Sequence, residues 1–447
     1  MGKRRAMRAV ATAGAMLLAV SACGGGGGDE PTTGSDPSSE GPKQVNIYGS
    51  DGNCGNALGE NFTEDGALDG LQCTTPLTEL SGDFRDRLLA DDPALVDFNY
   101  AAESYDAVLV TSLAAEIART NDATTFAPFM NAITTGGEKC TDWASCLTLV
   151  QAGSDLDYDG QSGPLAFTDA GEPAAASFGV LTFGADNATD NDLTEYVLAG
   201  DEAGATTEEA PTAPDPTSEP AAGPLTIGTL LPQTGSLAFL GPPEESGVRL
   251  AITEINDAGG ALGQPVALVE GDSGDTSTDT ANTTTDRLLQ AGANAIIGAA
   301  SSGVSQTVID KITGAGVVMF SPANTSDIFT DYDDSGLYFR TAPPDVLQAR
   351  ALADLMLADG NNSVGILALN DPYGTGLAEN IKNNLIEDGV AEDQIQVVIY
   401  DPNATSFDSE VSDMVELNPD GIAVIGFDES SIVITELNAQ GIGPAGP

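Results

Sequence analysis

The sequence predicts an α/β fold in which helices cover parallel sheets, and two observations carry that prediction. First, from Leu225 onward, short apolar runs alternate with stretches whose apolar residues recur at helical spacing. Such alternation of strands and helices is typical of parallel sheets with helices on both faces. Second, 447 residues with 41% hydrophobic side chains can build a sizeable core and favour two or more domains over one.

The individual elements follow from these runs. The second half has strand-like LTIGTLL, QPVALVE, NAIIGAA, GVVMFSP, SVGILAL, IQVVIYD and GIAVIGF, with helical GVRLAITEIN and QARALADLML between them. The first half has strand-like QVNIYGS, then helical SYDAVLVTSLAAEIAR and TFAPFMNAI, then two strand runs in GPLAFTDAGEPAAASFGVLTFG. These are too few parallel strands for a complete sheet, so we expect the first half to be part of a larger unit.

The N-terminal residues 1–23 predict an export signal. Basic residues precede a short apolar run that is too brief to span a bilayer comfortably. The run ends in Val-Ser-Ala-Cys, which resembles the lipobox of bacterial lipoproteins and makes Cys23 the expected lipidation site. The alternative is an ordinary cleaved signal. Residues 24–41 read as a flexible tether. Because the chain is expected to be exported and lipidated, its expected location is the extracytoplasmic face of a bacterial membrane, of Gram-positive or actinobacterial type.

The composition excludes several classes of function. The chain has 15 Lys plus Arg, 68 Asp plus Glu and no His, for a formal charge of -53. With so few basic side chains, no nucleic-acid partner is expected. Without histidine there is no His general base, Ser-His pair or His metal ligand. Composition alone leaves carboxylate, Lys or Tyr catalysis open. Because the sequence also has no nucleophile-elbow or P-loop pattern, we expect no enzyme, and we expect no metal and no cofactor.

The four cysteines that follow Cys23 predict disulfide bonds. Cys140 and Cys146 flank a short loop and are expected to pair, which leaves Cys54 with Cys73. A metal site is the alternative, but no CxxC pair is present.

A second low-complexity stretch, residues 198–223, is rich in Ala, Thr, Pro and acidic residues. It has little to bury and predicts a linker between two folded segments, 42–197 and 224–447. By random-coil scaling it spans on the order of 30 Å.

Two strand ends run into small hydroxyl residues, at 297–303 and at 320–326. Helix N-termini at the carboxyl ends of parallel strands offer N–H groups to anions. Each corner alone fits a helix N-cap as well as a site. On consecutive strands, the two corners can converge on one carboxylate.

Two other motifs are weak. The glycines of 370–376 begin a dinucleotide fingerprint, but Glu379 occupies the third glycine position. Tyr373 in this turn fits an aromatic wall or a surface residue. Residues 155–160 open like a calcium loop, but Ala166 replaces the bidentate Glu, and a hydrogen-bonded Asp turn is the simpler reading.

These corners bring out a family resemblance. LTIGTLLPQTGSLAFLGPPEESGVRLAITEINDAGG, IGAASSGVSQ, FSPANTSD, YFRTAPPD and LNDPYGTGLAENI resemble the N-terminal half of the leucine/isoleucine/valine-type solute-binding proteins of ABC importers. FNYAAESYDAVLVTSLAAEIA, CTDWASC and DYDGQSGPLAFTDAGEPAAASFGV are similar to the C-terminal half. The C-terminal half comes first, so the resemblance implies a circular permutation, which superficial termini tolerate.

The resemblance implies two Rossmann-like lobes joined by a hinge of three crossovers, the type I periplasmic-binding-protein fold. Lobe I would comprise 224–341 and 76–153. Lobe II would comprise 342–447, 42–75 and 154–197. The crossings would fall near 340–344, 73–76 and 153–159.

The resemblance also implies the site. Ser302 would hold the ligand carboxylate, and Thr325 with the backbone of Ala323 would hold carboxylate and ammonium. Asp51 would pair with the ammonium, one carbon shorter than the family's usual Glu. The residues that would enclose the ligand's side chain are Tyr373, Phe427 and Leu240.

The implied function is binding of a small amino acid, branched-chain or related, and its delivery to an ABC permease by a lipid-anchored monomer. Two alternatives stay open: a ligand-sensing ectodomain-like lipoprotein, and a structural surface lipoprotein with a degenerate cleft, which a swapped dimer would accompany.

Overall fold

The computed structural model describes residues 43–221 and 223–446. The predicted signal (1–23), its lipidation site Cys23 and the tether (24–41) lie outside the described residues. Within them, no helix combines the length and apolarity that crossing a bilayer requires.

The described residues form strands and helices in alternation. The strands are β1 (Asn46–Gly49), β2 (Gln72–Pro76), β3 (Glu138–Cys140), β4 (Leu156–Tyr158), β5 (Ala175–Thr182), β6 (Glu195–Gly200), β7 (Thr226–Leu230), β8 (Ala267–Val269), β9 (Ala295–Gly298), β10 (Val318–Ser321), β11 (Tyr338–Arg340), β12 (Val364–Leu369), β13 (Ile395–Tyr400) and β14 (Gly421–Ile425). The helices are α1 (Asn56–Gly59), α2 (Gly82–Asp91), α3 (Ala101–Ala118), α4 (Ala123–Phe126), α5 (Met130–Ile133), α6 (Trp143–Ala152), α7 (Gly241–Asp257), α8 (Thr280–Gln290), α9 (Ser302–Gly314), α10 (Asp345–Ala358), α11 (Pro372–Glu387), α12 (Asp408–Leu417) and α13 (Ser430–Ala439).

Two sheets organise the molecule. The first has seven strands in the order β13-β12-β14-β1-β2-β5-β6, and the second has five in the order β11-β10-β9-β7-β8. All pairs in the second sheet are parallel, and in the first only β5 runs antiparallel to its neighbours β2 and β6. The predicted α/β class with parallel sheets is confirmed. We call the part around the five-stranded sheet lobe I and the part around the seven-stranded sheet lobe II.

Both lobes combine the two ends of the chain. In lobe II, β1 pairs in parallel with β14, and Asn46 lies opposite Gly421. In lobe I, helix α3 from the first half packs against α7, β9 and β10 from the second. Neither half could bury its sheet alone, because each leaves an apolar face that the other covers.

The central strands read as apolar runs because they are covered on both faces. Every residue of β12 and of β14 is buried. Polar caps start the helices beside them: Asp371 accepts from the Gly374 N–H at 2.7 Å, and Ser301 from the Val304 N–H at 3.3 Å. Such caps satisfy N–H groups that the first helical turn leaves free.

One lobe boundary differs from the sequence prediction. Strand β4 pairs with β3, and Leu156, Leu165 and Phe167 lie in the lobe I core. The chain enters the lobe II sheet only at Ala175, so the boundary predicted at 154 lies instead between Phe167 and Ala175. The three-residue strand β4 belongs to a small separate sheet, which a short apolar run does not reveal.

The linker also differs from the random coil expected for it. Its first residues, Leu198–Gly200, complete β6, and the Thr206 N–H donates to the Phe167 carbonyl at 2.7 Å. Further on, the Arg119 guanidinium donates to the Ser218 carbonyl at 2.8 Å. Composition predicts that the linker buries few side chains. Hydrogen bonds made by its backbone N–H and carbonyl groups nevertheless hold it against lobe I.

Both predicted disulfide bonds are present. Cys54 and Cys73 join the loop after β1 to strand β2, with their Cα atoms 5.7 Å apart. Cys140 and Cys146 join β3 to helix α6, with their Cα atoms 5.2 Å apart.

The contact between α3 and α7 is close enough to require glycine. A Cβ on Gly247 would lie 2.1 Å from the Ala101 carbonyl oxygen, far inside contact distance. Gly247→Ala should therefore lower the free energy of unfolding by several kcal/mol, although alanine gains about 1 kcal/mol in helix propensity. Gly314→Ala, at the end of α9 where no atom lies within 4 Å of the added Cβ, is the matched control and should be neutral or stabilising. Urea denaturation measures both, and equal effects would contradict the close packing.

Candidate functional site

The two hydroxyl corners lie side by side in lobe I, because β9 and β10 are neighbours. The Asn324 amide donates to the Ala300 carbonyl at 2.7 Å, and the Ser321 hydroxyl to the Ala299 carbonyl at 2.7 Å. The Ser302 hydroxyl accepts from the Ser326 N–H at 3.4 Å. These bonds hold the start of α9 and the loop after β10 as one surface.

Lobe II contributes three adjacent strand ends. Asp51 follows β1, Phe427 follows β14 and Tyr373 follows β12, and these strands are neighbours in the sheet. The rings of Tyr373 and Phe427 are stacked, with centroids 5.7 Å apart. Polar and aromatic groups therefore face lobe I along one edge.

A small cavity lies between the two lobes. All seven residues predicted for the site line it: Asp51, Leu240, Ser302, Ala323, Thr325, Tyr373 and Phe427. The remaining lining residues are Gly52, Tyr100, Leu237, Ala300 and Ser301. The lobe I residues supply hydroxyls and apolar side chains, whereas lobe II supplies the acid and the stacked rings.

Asp51 is a buried carboxylate held from both lobes. It accepts from the Tyr100 hydroxyl of lobe I at 2.7 Å and from the Tyr373 hydroxyl of lobe II at 2.7 Å. The amide of Gln348, on α10, donates at 2.8 Å. Burial raises the pKa of Asp51, and the three hydrogen bonds oppose that rise.

Tyr100 is a cavity residue that sequence reasoning missed. It precedes α3 with φ at 60°, in the left-handed region that bulky residues rarely adopt. The residue with this backbone conformation is the one whose hydroxyl donates to Asp51. Neither hydrophobic periodicity nor a motif marks such a position in the sequence.

A buried ion pair supports the loop that carries Ala323 and Thr325. The Arg340 guanidinium, fully buried at the end of β11, donates to Glu172 at 2.5 and 2.9 Å. It also donates to the carbonyls of Asn324 at 3.1 Å and of Ser326 at 2.8 Å, on either side of Thr325. The ion pair was not predicted, because Glu172 and Arg340 are far apart in sequence.

Of the two weak motifs, one contributes Tyr373 to the cavity and the other contains two ion pairs. Tyr373 is a wall of the cavity rather than a surface turn residue. In the calcium-like stretch, Lys139 forms ion pairs with Asp157 at 3.0 Å and with Asp159 at 2.7 Å. Residues 43–221 and 223–446 contain no group of three or more His, Cys, Asp or Glu side chains placed to hold a metal ion.

Two lobes with a small mixed polar and apolar cavity between them define a class, the two-lobed binding proteins. Residues 224–446, about half of the chain, match the family model described as periplasmic binding protein. This part of the chain belongs to that family.

Two curated relatives illustrate the similarity. Leu/Ile/Val-binding protein homolog 3 of Brucella melitensis is 30% identical over 208 residues, which are 45% of this chain and 54% of that protein. Leu/Ile/Val-binding protein BraC3 of Rhizobium johnstonii is 31% identical over 170 residues, which are 38% of this chain and 46% of that protein. The chain thus spans about half the length of the curated relatives it matches.

Two solved structures are also similar. A leucine binding protein LivK of Thermotoga maritima has a TM-score of 0.44 at 24% identity, covering 49% of this chain and 61% of that one. The LivJ substrate binding protein of Streptococcus pneumoniae, in complex with isoleucine, has a TM-score of 0.42 at 26% identity, covering 49% and 62%.

The Arg340–Glu172 pair yields a stability prediction. Glu172→Gln should lower the free energy of unfolding by about 3–5 kcal/mol, because it leaves the Arg340 charge buried without its partner. Lys382→Gln, which breaks the exposed pair with Glu392, is the control and should change it by less than about 1 kcal/mol. Equal losses of unfolding free energy in urea denaturation would show that the buried pair stabilises the fold no more than the exposed pair does.

A second buried acid predicts a pH dependence of stability. Burial raises the pKa of Glu103, on α3, to about 8, and nearby Asp106 adds to the rise. Because this pKa is raised on folding, the stability from Glu103 is present below its unfolded pKa and is lost as pH rises through 8. Glu103→Gln should match the wild type near pH 4.5 and exceed it at pH 9 by on the order of a few kcal/mol. A constant difference across urea titrations from pH 4.5 to 9 would contradict the raised pKa.

Proposed function

We propose that this chain is the extracytoplasmic solute-binding protein of an ABC importer and binds a small amino acid, branched-chain or related, between its lobes. The observation that carries the proposal is one cavity between the lobes with hydroxyls on lobe I, a carboxylate on lobe II and apolar side chains around them. An α-amino acid carries the complementary groups: a carboxylate, an ammonium and a side chain.

The hydroxyl corner suits the ligand's carboxylate. Ser302 is 3% exposed and Thr325 is 1% exposed. A carboxylate between them would therefore accept from their hydroxyls in a site with little competing water. Ser302 is the first residue of α9, and the start of a helix favours negative charge. The family resemblance assigns the same two residues to this role.

The acid suits the ammonium. A carboxylate has about four acceptor positions, and Asp51 uses three of them on Tyr100, Tyr373 and Gln348. One position is left for an ammonium hydrogen, and the carbonyl of Ala323 on the opposite wall is the second acceptor we propose. The charge of Asp51 would favour a cationic group over a neutral one.

The apolar walls of the cavity suit a small aliphatic side chain. Leu240, Leu237 and Phe427 supply apolar surface, which is compatible with a branched aliphatic group. The two relatives are named for binding leucine, isoleucine and valine, which supports the same class of ligand.

The domain order proposed from sequence is a circular permutation of the family. The pairing of β1 with β14 supports it, because the strand that begins the described chain stands beside the last one. We propose that residues 42–197 correspond to the family's C-terminal half and residues 224–447 to its N-terminal half, bridged by the linker. The chain would work as a monomer, anchored through Cys23, that hands its ligand to a permease.

The mechanism would be hinge closure. Ligand contacts on both lobes favour the closed form, whereas a ligand that touches one lobe shifts nothing. Specificity would follow from burial, since an analogue without the ammonium or carboxylate leaves a buried group unpaired.

A thermal-shift screen against the twenty amino acids tests the proposal. Leucine, isoleucine or valine should raise the melting temperature, because a ligand at 100 times its Kd adds about 2.7 kcal/mol to native-state stability. Ser302→Ala and Asp51→Asn should each weaken binding at least about tenfold in calorimetric titration.

Thr307→Ala is the matched control. Thr307 lies on the same helix as Ser302 and donates to the Val304 carbonyl, but it does not line the cavity. Its variant should bind as the wild type does. The proposal is wrong if no amino acid shifts the melting temperature, and the site assignment is wrong if all three variants bind equally.

A further inference from the structure

Three side chains of lobe I cross the cleft to one loop of lobe II, two of them outside the cavity and Tyr100 at its wall. The Asp97 carboxylate accepts from the Asn56 N–H at 2.9 Å and from the Asn56 amide at 2.6 Å. The Asn99 amide donates to the Cys54 carbonyl at 2.9 Å, and the Tyr100 hydroxyl to Asp51 at 2.7 Å. We call residues 97–100 together with loop 51–56 the interlobe clasp.

The lobe II side of the clasp is firmly attached to its own lobe. Cys54 is bonded to Cys73 of β2. The Asn53 amide donates to the Val424 carbonyl and to the Ser430 hydroxyl, both at 2.9 Å. Asn56 accepts from the Thr189 N–H at 3.0 Å. The loop therefore moves with the sheet of lobe II rather than with residues 97–100.

The lobe I side is equally fixed. Tyr100 leads directly into α3, which is buried along nearly its whole length in the lobe I core. The Arg85 guanidinium lies over the Phe98 ring, 4.7 Å from its centroid. Because each side is rigid within its own lobe, separating the lobes would break the clasp as a unit.

Asp97 is distinct from the residues proposed to touch the ligand. It does not line the cavity, and both of its partners are groups of Asn56. A carboxylate that accepts two N–H bonds forms charge-assisted hydrogen bonds, which are stronger than neutral ones. Of the clasp residues, Asp97 thus contributes to closure without contributing to recognition.

We propose that the interlobe clasp sets the closed fraction of the protein, and that Asp97 is a positioning residue which tunes ligand affinity from outside the cavity. The second part rests on the proposed amino-acid binding, and the first does not. The physical link is that apparent Kd equals the intrinsic Kd divided by the fraction of molecules in the competent, closed form.

The test compares Asp97→Ala, Asp97→Asn and the wild type by small-angle scattering and by leucine titration. Asp97→Ala should enlarge the ligand-free radius of gyration, weaken leucine binding by about tenfold and return to the wild-type radius at saturating leucine. Asp97→Asn, which keeps an acceptor without the charge, should be intermediate and guards against misfolding of the alanine variant.

Asp86→Ala is the matched control, since Asp86 is an exposed acid on α2 of the same lobe. It should leave both measurements unchanged. An unchanged radius of gyration together with unchanged leucine affinity in Asp97→Ala would overturn the proposal. If the wild type binds no amino acid, the proposed function fails, and the ligand-free radius alone then decides whether the clasp exists.

Discussion

The structure depends above all on how the Asp51 carboxylate is buried. A charge removed from water requires hydrogen-bond donors, and Asp51 takes one from lobe I, on Tyr100, and two from lobe II, on Tyr373 and Gln348. If the lobes separated, Asp51 would lose one of these donors while the cleft filled with water. Closing the lobes and satisfying this acid are therefore parts of a single event, and the cavity forms around them.

The order of the strands explains why distant residues meet at that acid. In lobe II, β12, β14 and β1 are neighbours, and Tyr373, Phe427 and Asp51 follow them in the same order. In lobe I, β9 and β10 are neighbours and lead to Ser302 and to the loop before Ser326. Parallel strands present their carboxyl ends at one edge, so each short loop adds a group to the same cleft.

The apolar runs of the sequence predicted the strands, and the hydroxyl corners after two of them, with Tyr373 in the turn after a third, line the cavity. The family resemblance, not a local pattern, added Asp51, Leu240 and Phe427. Sequence reasoning missed Tyr100, whose left-handed conformation no local pattern marks, and the Arg340–Glu172 pair, which joins residues from opposite halves of the chain. It also placed the end of this lobe I segment too early in the chain. The reason is that β4, which pairs with β3, is too short to be recognised as a strand from the sequence.

The sequence by itself determined the class of fold, the two disulfide bonds and the chemical character of the cavity wall. These depend on local patterns: apolar periodicity, cysteine spacing and small polar residues after a buried run. Only the tertiary structure decided that Asp51 is shared between the lobes, that Asp97 and Asn56 bridge them and that the linker is docked. Those features depend on distances between segments far apart in the chain, which no local pattern encodes.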